Sequence, residues 1–443
     1  MNGNHLVIKK GAVFAYRLYD IAHEIDLKKA QSALESQGGS QQVRRYQLQK
    51  DPLRTVIMRE LPLTLSGDEE TIKIKLKDGE RELKATVEVK LWDYGVMSFS
   101  YRINLTENLS WKNLVLLGSI LDSDSVIDEL SVRKRDELVA RLQSNQSLKS
   151  PHTHQVFEDY TTFLIEELEG VEKTKKKITP AATEGNSNPK PEIVEELVPV
   201  KIRDPKEILN YNCIAELLLA EPTRALSETT RKSIQSNYSQ YTQKDLIILD
   251  WNTALVMDFT KEKEYQDYVD LIEFSLAQLL ELRIYDQLLD EQLDDLYNSM
   301  EQKQFAQVTN FYSQMSDESG RLFMEFSDFF EKLDNSIKTV GDFYLAKVLR
   351  SADKRFGFDD LKKSMSRKID ALREISSMCQ DKVDSLVDEQ RNKLSEHNTQ
   401  VTHRMELIVI GLIAIEVIPT VYKHSHDVIN WIQQAWNWVS NLF

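Results

Sequence analysis

Cysteine is nearly missing from this 443-residue chain: only Cys213 and Cys379 occur, far apart and in no paired motif. A disulfide framework and a zinc knuckle are thereby excluded. Glycine and proline are sparse, at 14 and 10 residues, and no Gly-rich phosphate loop, His-Glu-x-x-His, Cys-x-x-Cys or Gly-x-Ser-x-Gly is present. The usual marks of nucleotide hydrolysis, zinc proteolysis, thiol redox chemistry and serine hydrolysis are therefore lacking. Basic residues are in deficit, 56 against 71 acidic ones, for a net charge of −15. Broad nucleic-acid binding is not expected, because neutralising phosphates takes a basic face. The first ten residues show no basic segment leading into an apolar one, so no secretory signal is expected. No cofactor and no metal is expected either, and a reducing cytoplasmic compartment fits the cysteine usage.

Long hydrophobic runs are absent with one exception, residues 405–422. As a helix this run reaches ~27 Å, just short of a ~30 Å hydrocarbon core. Its Leu, Ile and Val residues contribute roughly −3 to −6 kcal/mol on an insertion scale, and Glu416 gives back about 3 kcal/mol. The expectation is a transmembrane helix anchored by Leu407, Ile408, Ile410, Leu412, Ile413 and Glu416; the alternative is a buried core helix. Glu416, an acid inside such a span, is either paired on a neighbouring helix or snorkelling to the interface. A polar hinge at 423–427 leads to 428–443, where Trp431, Trp436 and Trp438 suit headgroup depth and predict an interfacial amphipathic helix. The alternative there is a helix capping a soluble core. Arg391, Lys393 and Arg404 precede the run and Lys423 follows, which puts the N-terminal part in the cytoplasm by the positive-inside bias.

Hydrophobic content of 41% supports real cores, and the length leaves room for two or three domains. Residues 13–18, 55–60, 71–77, 83–91 and 96–101 read as strands, with turns at 78–79 and 93–95. Residues 25–34, 111–121 and 125–142 read as helices, and 157–166 as a further strand. The Lys- and Pro-containing stretch 173–204 reads as a flexible loop. Its Lys173, Lys175, Lys176 and Lys177 are a solvated charge run or touch anionic lipid. Residues 205–220 read as a helix and 245–259 as a hairpin of two apolar strands. Both halves follow strand, helix and hairpin around an aromatic-plus-Asx turn, which suggests two duplicated lobes sharing one sheet.

From 261 onward strand signal disappears. Val269, Ile272, Leu276, Leu279, Leu282, Leu289, Leu293 and Leu296 recur at helical spacing, 310–349 is rich in Phe, and Met365, Ile369, Leu372, Cys379, Val383 and Leu386 lie near a 3.5-residue seam. Such helices pack as a bundle or as a coiled coil between chains. No residue set nominates itself for catalysis. His152 with His154, and His424 with His426, are the paired imidazoles, solvated or, for the second pair alone, a weak metal candidate, and Asp250 and Asp258 are turn or cap residues.

Three stretches carry a resemblance: 274–286, with Ser275, Leu276, Ala277 and Gln278; the aromatic helix 326–344; and 403–417, an Ile-rich run closing on Ile-Glu-Val. Together they resemble the Required-for-meiotic-nuclear-division, sporulation-related family of bacterial and mitochondrial membrane-anchored proteins. The resemblance implies an α+β domain, then helices and a C-terminal membrane anchor. It also implies a tether without established enzyme activity, in the mitochondrial inner membrane of a eukaryote.

The expected architecture is therefore α+β: lobes at 1–172 and 205–260 around the loop 173–204, a long-helix bundle or coiled-coil stalk at 261–404, a transmembrane helix at 405–422 and an interfacial helix at 423–443. The expected function is a tail-anchored, cytoplasm-facing scaffold or tether without catalysis. Its partners would be the lipid bilayer, further copies of itself through the stalk, and a protein of unspecified identity. The alternative in another class is an enzyme with a site between the lobes acting on a nucleotide or RNA. A soluble helical protein with its last two helices in the core is the third possibility.

Overall fold

The computed structural model describes residues 5–36, 42–45, 61–76, 79–105, 108–123, 126–151, 157–178, 192–211, 213–222, 226–260, 265–301, 312–317, 319–321, 323–324, 326–327 and 343–440. The expected strand 55–60, the pair His152 and His154, and most of the Phe-rich stretch lie outside these residues. In chain order the elements are β1 (Val7–Asp20), β2 (Ala22–Ile25), α1 (Leu27–Ser36), β3 (Gln42–Arg45), β4 (Leu63–Leu76), β5 (Gly79–Leu91), β6 (Val96–Asn104), β7 (Leu109–Ser110), α2 (Trp111–Ser123), α3 (Val126–Ser144) and β8 (Leu148–Pro151). They continue as β9 (Phe157–Ile178), β10 (Glu192–Lys201), a 3-10 turn (Pro205–Asn210), α4 (Ile214–Leu218), α5 (Glu228–Ser236), β11 (Tyr238–Ser239), β12 (Asp245–Leu249) and β13 (Thr253–Asp258). Helices α6 (Tyr265–Glu301), α7 (Phe343–Phe356) and α8 (Phe358–Ser440) follow, and the described residues within 312–327 are helical as well. Two compact units result, Met1–Asp294 with Glu325–Ile369, and Asp295–Met324 with Asp370–Phe443.

The first unit is built on one mixed sheet in the order β11-β12-β13-β9-β1-β6-β5-β4-β3, with β10 added to β9 and β7 to β1. The strands expected in two lobes belong to this one sheet. The expected second-lobe hairpin, β12 with β13, extends the first sheet, and β13 joins β9 in parallel with Thr253 opposite Thr161. Half of the stretch expected to be a loop is strand, and 179–191 lie outside the described residues: β10 runs antiparallel to the far half of β9, from Glu192 opposite Ile178 to Lys201 opposite Glu169. Its Ile, Val and Leu residues are β-formers that the Lys- and Pro-rich composition concealed. Pro199 fits because β10 pairs with β9 alone among the described strands. The helix expected over 205–220 is a 3-10 turn and the short α4.

Side chains alternate across the pleat, so each strand serves two faces. On one face Val13, Ala15, Tyr19, Val87, Val89, Phe99 and Tyr101 join Trp111, Leu114 and Leu138 of the crossing helices in one apolar core. Gly118 lets α2 approach the sheet, since a Cβ there would lie 2.6 Å from the Phe163 ring. At the β5–β6 turn Gly95 has φ of +98°, and a Cβ would meet the Ala22 carbonyl. The opposite face carries Tyr16, Glu88, Lys90, Ser98, Tyr160 and Thr162, and α6 covers it. A sheet covered on both faces buries most of β1, β6, β12 and β13.

In the second unit, Leu372, Ile375 and Cys379 of α8 are buried together with Met315 and Ser319. Ser316 and Ser376 hydrogen-bond across the helices, and Arg373 lies 4.5 Å from the Phe323 ring centroid.

The C-terminal expectations are corrected here. Residues 405–422 are an internal part of α8, an 83-residue helix. Its backbone runs helically through 423–427, so neither a hinge nor a separate interfacial helix exists. Among the described residues no helix is long and apolar enough to cross a membrane. The transmembrane helix, the tail anchor and the single-pass membrane placement are therefore not supported. Leu407, Ile408, Ile410, Leu412, Ile413, Trp431 and Trp436 are exposed on α8. The side chains of Glu416, His424, His426 and Trp438 lie outside the described residues.

Candidate functional site

Helix α6 enters the fold through Asp258. One carboxylate oxygen of Asp258 accepts from the Tyr265 backbone N–H at 2.9 Å, and the other accepts from the backbone and hydroxyl of Thr260. This is the cap role expected of Asp258. From 268 to 282 every residue of α6 is buried, including Ser275, Leu276, Ala277 and Gln278. The buried set also includes Asp270, Glu273 and Glu281, and charges of that kind persist inside a protein only with partners.

The partner of the first two is Lys90 of β5. Its ammonium donates to Asp270 Oδ1 at 2.7 Å and to Glu273 Oε2 at 2.6 Å, and lies 3.4 Å from Glu88 Oε1. Ser98 Oγ donates to the other Glu273 oxygen at 2.5 Å and accepts from the Trp92 indole N–H at 3.2 Å. Gln266 donates to Asp270 at 3.2 Å. Burial alone depresses the Lys90 ammonium, but the charges of Asp270, Glu273 and Glu88 outweigh it and hold its pKa well above the ordinary lysine value. Burial raises the Glu88 carboxyl, against the pull of Lys90. It also drives the Tyr16 phenol well above its usual range, aided by the Glu273 charge.

Two further groups lie along the same helix. Burial, then the charges of Asp20 and Asp93, raise the Glu281 carboxyl well above the carboxylate range. Arg283 pairs with Glu158 of β9 and lies 5.6 Å from the ring centroid of Trp251. Burial pushes Glu158 up to about 7 despite that arginine. Next to Trp251, Asp250 accepts from the Trp251 backbone N–H at 2.8 Å and pairs with Arg355 of α7, while the Tyr160 hydroxyl donates to the Asp250 and Thr253 carbonyls. Asp250 is thus a turn residue, as expected, and also an ion-pair partner.

Glu88, Asp270 and Glu273 can bring three carboxylate oxygens within 4.8 Å of one another, a spacing that suits a cation. The Lys90 ammonium already stands among them and serves as that cation. Lys90 is 2% exposed and Glu273 1%, while Glu88 stands at the rim of the group, 37% exposed. The group ties α6 to the sheet. Arg283, the partner of Glu158, packs against Trp251, which is 55% exposed.

Sequence reasoning singled out none of Lys90, Asp270, Glu273, Glu158 or Arg283. Lys84, Thr86, Glu88 and Lys90 alternate with apolar neighbours like the wet face of a strand. The signal that separates this case is complementary sign: a lysine on the strand against acids three apart on a helix otherwise apolar all round.

A model of the family described as "Uncharacterized protein MJ0711, N-terminal domain" matches residues 10–184 and 171–264, together more than half of the chain. The uncharacterized protein MJ0711 of Methanocaldococcus jannaschii is 23% identical over 224 residues, covering 50% of this chain and 63% of that protein. The chain thus spans under two thirds of the length of this relative. No solved structure matches. These findings overturn the resemblance to the meiotic and sporulation-related family. Its Ser-Leu-Ala-Gln segment consists of buried packing residues of α6, a pattern that any helix covered all round tends to adopt.

Proposed function

For a chain that belongs to the family of the MJ0711 N-terminal domain, we propose a scaffold without catalytic activity, which self-associates through α8. The observation that carries this reading is the exposure of Leu394, Val401, Met405, Leu407, Ile408, Val409, Ile410, Leu412, Ile413 and Ile415 along one helix. Exposed apolar patches beyond a few hundred Å² mark interaction sites. A helix of 83 residues extends ~125 Å and gains stability chiefly by burying a face. The pairing of Lys90 with Asp270, Glu273 and Glu88 supports the non-catalytic half of the reading, since it commits these charges to holding α6 on the sheet.

Sedimentation equilibrium of the full chain tests it. The expected result is a self-associating species whose dissociation constant weakens roughly a hundredfold in Leu412→Asn, as the loss of one buried leucine from each of two copies implies. A wild-type chain that stays monomeric at every concentration overturns the reading.

One observation favours the enzyme alternative. Glu158, near neutral in pKa and beside the exposed Trp251 and Arg283, has the proton affinity of a general acid or base. Saturation-transfer NMR with a panel of mononucleotides tests it: contacts to Trp251 that vanish in Trp251→Ala support an enzyme site, and their absence leaves the scaffold.

A further inference from the structure

Within 387–404 of α8 the only large apolar residues are Val387, Leu394 and Val401, seven apart, and every other position is polar or charged. The repeat continues through Ile408 and Ile415. Between these lie Arg391, Asn398, Met405 and Leu412, each four residues after one member and three before the next. The alternating spacing of three and four over four heptads is the seam of a coiled coil, with Arg391, Asn398, Met405 and Leu412 at the a positions and the other five at d. Val387 is half-buried, and the other eight are exposed.

We infer that this seam is an interface with a second copy of the same chain, aligned parallel and in register at Asn398. The inference rests on the scaffold reading and adds the partner, its direction and its alignment. Three observations support it. The seam is narrow and lies on a helix whose remaining faces are charged from 387 to 404, so the occupant must offer an equally narrow apolar stripe of the same period. A second α8 does. Leu394, Val401, Met405, Ile408, Leu412 and Ile415 each have about 100 Å² of apolar surface to bury. Twelve such side chains in a pair amount to ~1,200 Å², the lower bound for a stable interface.

Asn398 sets the direction. In a parallel pair the a residues face their own counterparts, so two Asn398 amides hydrogen-bond to each other. In an antiparallel pair an a residue faces d residues, here Val, Leu or Ile, and the amide would be buried without a partner. Arg391, the other polar a residue, lies 3.8 Å from Asp388 of its own helix, which offsets its charge there.

Cross-linking of the full chain tests the inference. In a parallel, in-register pair the two Leu394 positions lie at disulfide distance. Leu394→Cys should therefore form a covalent dimer on mild oxidation. Glu396→Cys, on the outer face, should not, and neither should the wild type, whose two cysteines are buried. Asn398→Leu should tighten association at least tenfold and replace one defined mass by a mixture. If the wild type sediments as an oligomer but Leu394→Cys does not cross-link, the parallel register is wrong and the scaffold reading survives. If the wild type is monomeric, both fall. An Asn398→Leu variant with unchanged mass and affinity removes the alignment role of Asn398.

Discussion

Helices α6 and α8 invert each other. From 268 to 282 α6 buries every residue, three of them acidic; from 388 to 410 α8 exposes every residue, a row of them aliphatic. Polarity alone assigns most of both stretches correctly; the acids of α6 and the aliphatic row of α8 are what it misplaces. What decides is whether a complementary surface lies within the same chain. Asp270 and Glu273 of α6 meet Lys90, Ser98 and Gln266. The aliphatic row of α8 meets nothing among the described residues of this chain, so its complement is sought in another copy.

Removing the partner on the α6 side should have the largest effect. Lys90→Met leaves Asp270 and Glu273 as buried charges without a cation, and breaking a buried pair in this way costs about 3–5 kcal/mol. Urea denaturation should show it as a lower midpoint at unchanged slope. Adding Asp270→Asn and Glu273→Gln to Lys90→Met should recover most of the loss. A single variant as stable as the wild type would mean that water reaches the group and that α6 is less sealed than α8 is exposed.

How much of this contrast was legible beforehand depends on which periodicity carried it. The strands around 71–77, 83–91 and 96–101, the hairpin at 245–259 and the long helix from 265 follow from alternation and helical spacing, and the structure contains them. The side on which a polar row ends up is not encoded in its own period. Lys90 and Glu88 scan as solvent-facing until a helix 180 residues later supplies Asp270 and Glu273. The far half of β9 and β10 failed for a related reason: pairing over ten residues held a Lys- and Glu-rich ribbon that composition marks as loop. The run at 405–422 scanned as a membrane span, yet among the described residues no helix is long and apolar enough to cross a membrane.

A smaller effect separates the two helices by pH. Glu158, which pairs with Arg283 of α6, has a folded pKa of about 7 against an ordinary value of 4.5. Between those values the folded state binds more protons than the unfolded one, so stability falls as pH rises from about 4.5 to 7. The shift corresponds to a loss of up to about 3 kcal/mol. Glu158→Gln cannot ionise and should lack that part of the slope, gaining on the wild type as pH increases. Glu281 and Glu88 add slope of the same sign to both proteins, so the difference between the two stability curves isolates Glu158. Parallel curves would mean that Arg283 compensates Glu158 fully. The self-association of α8, whose seam contains no carboxylate, should not change over the same range.

The smallest effect tests whether exposure alone predicts a partner. Trp251 is about as exposed as Leu412, yet Arg283 lies over its ring and its backbone N–H is held by Asp250. A single exposed aromatic with a neighbour in its own chain belongs to the surface, whereas a repeated aliphatic stripe does not. Trp251→Ala should cost no more than about 1 kcal/mol, the scale of one cation–π contact. It should leave the sedimentation mass unchanged, where Leu412→Asn shifts it. If Trp251→Ala dissociates the protein as Leu412→Asn does, the interface between copies includes the sheet unit and α8 is not its sole carrier.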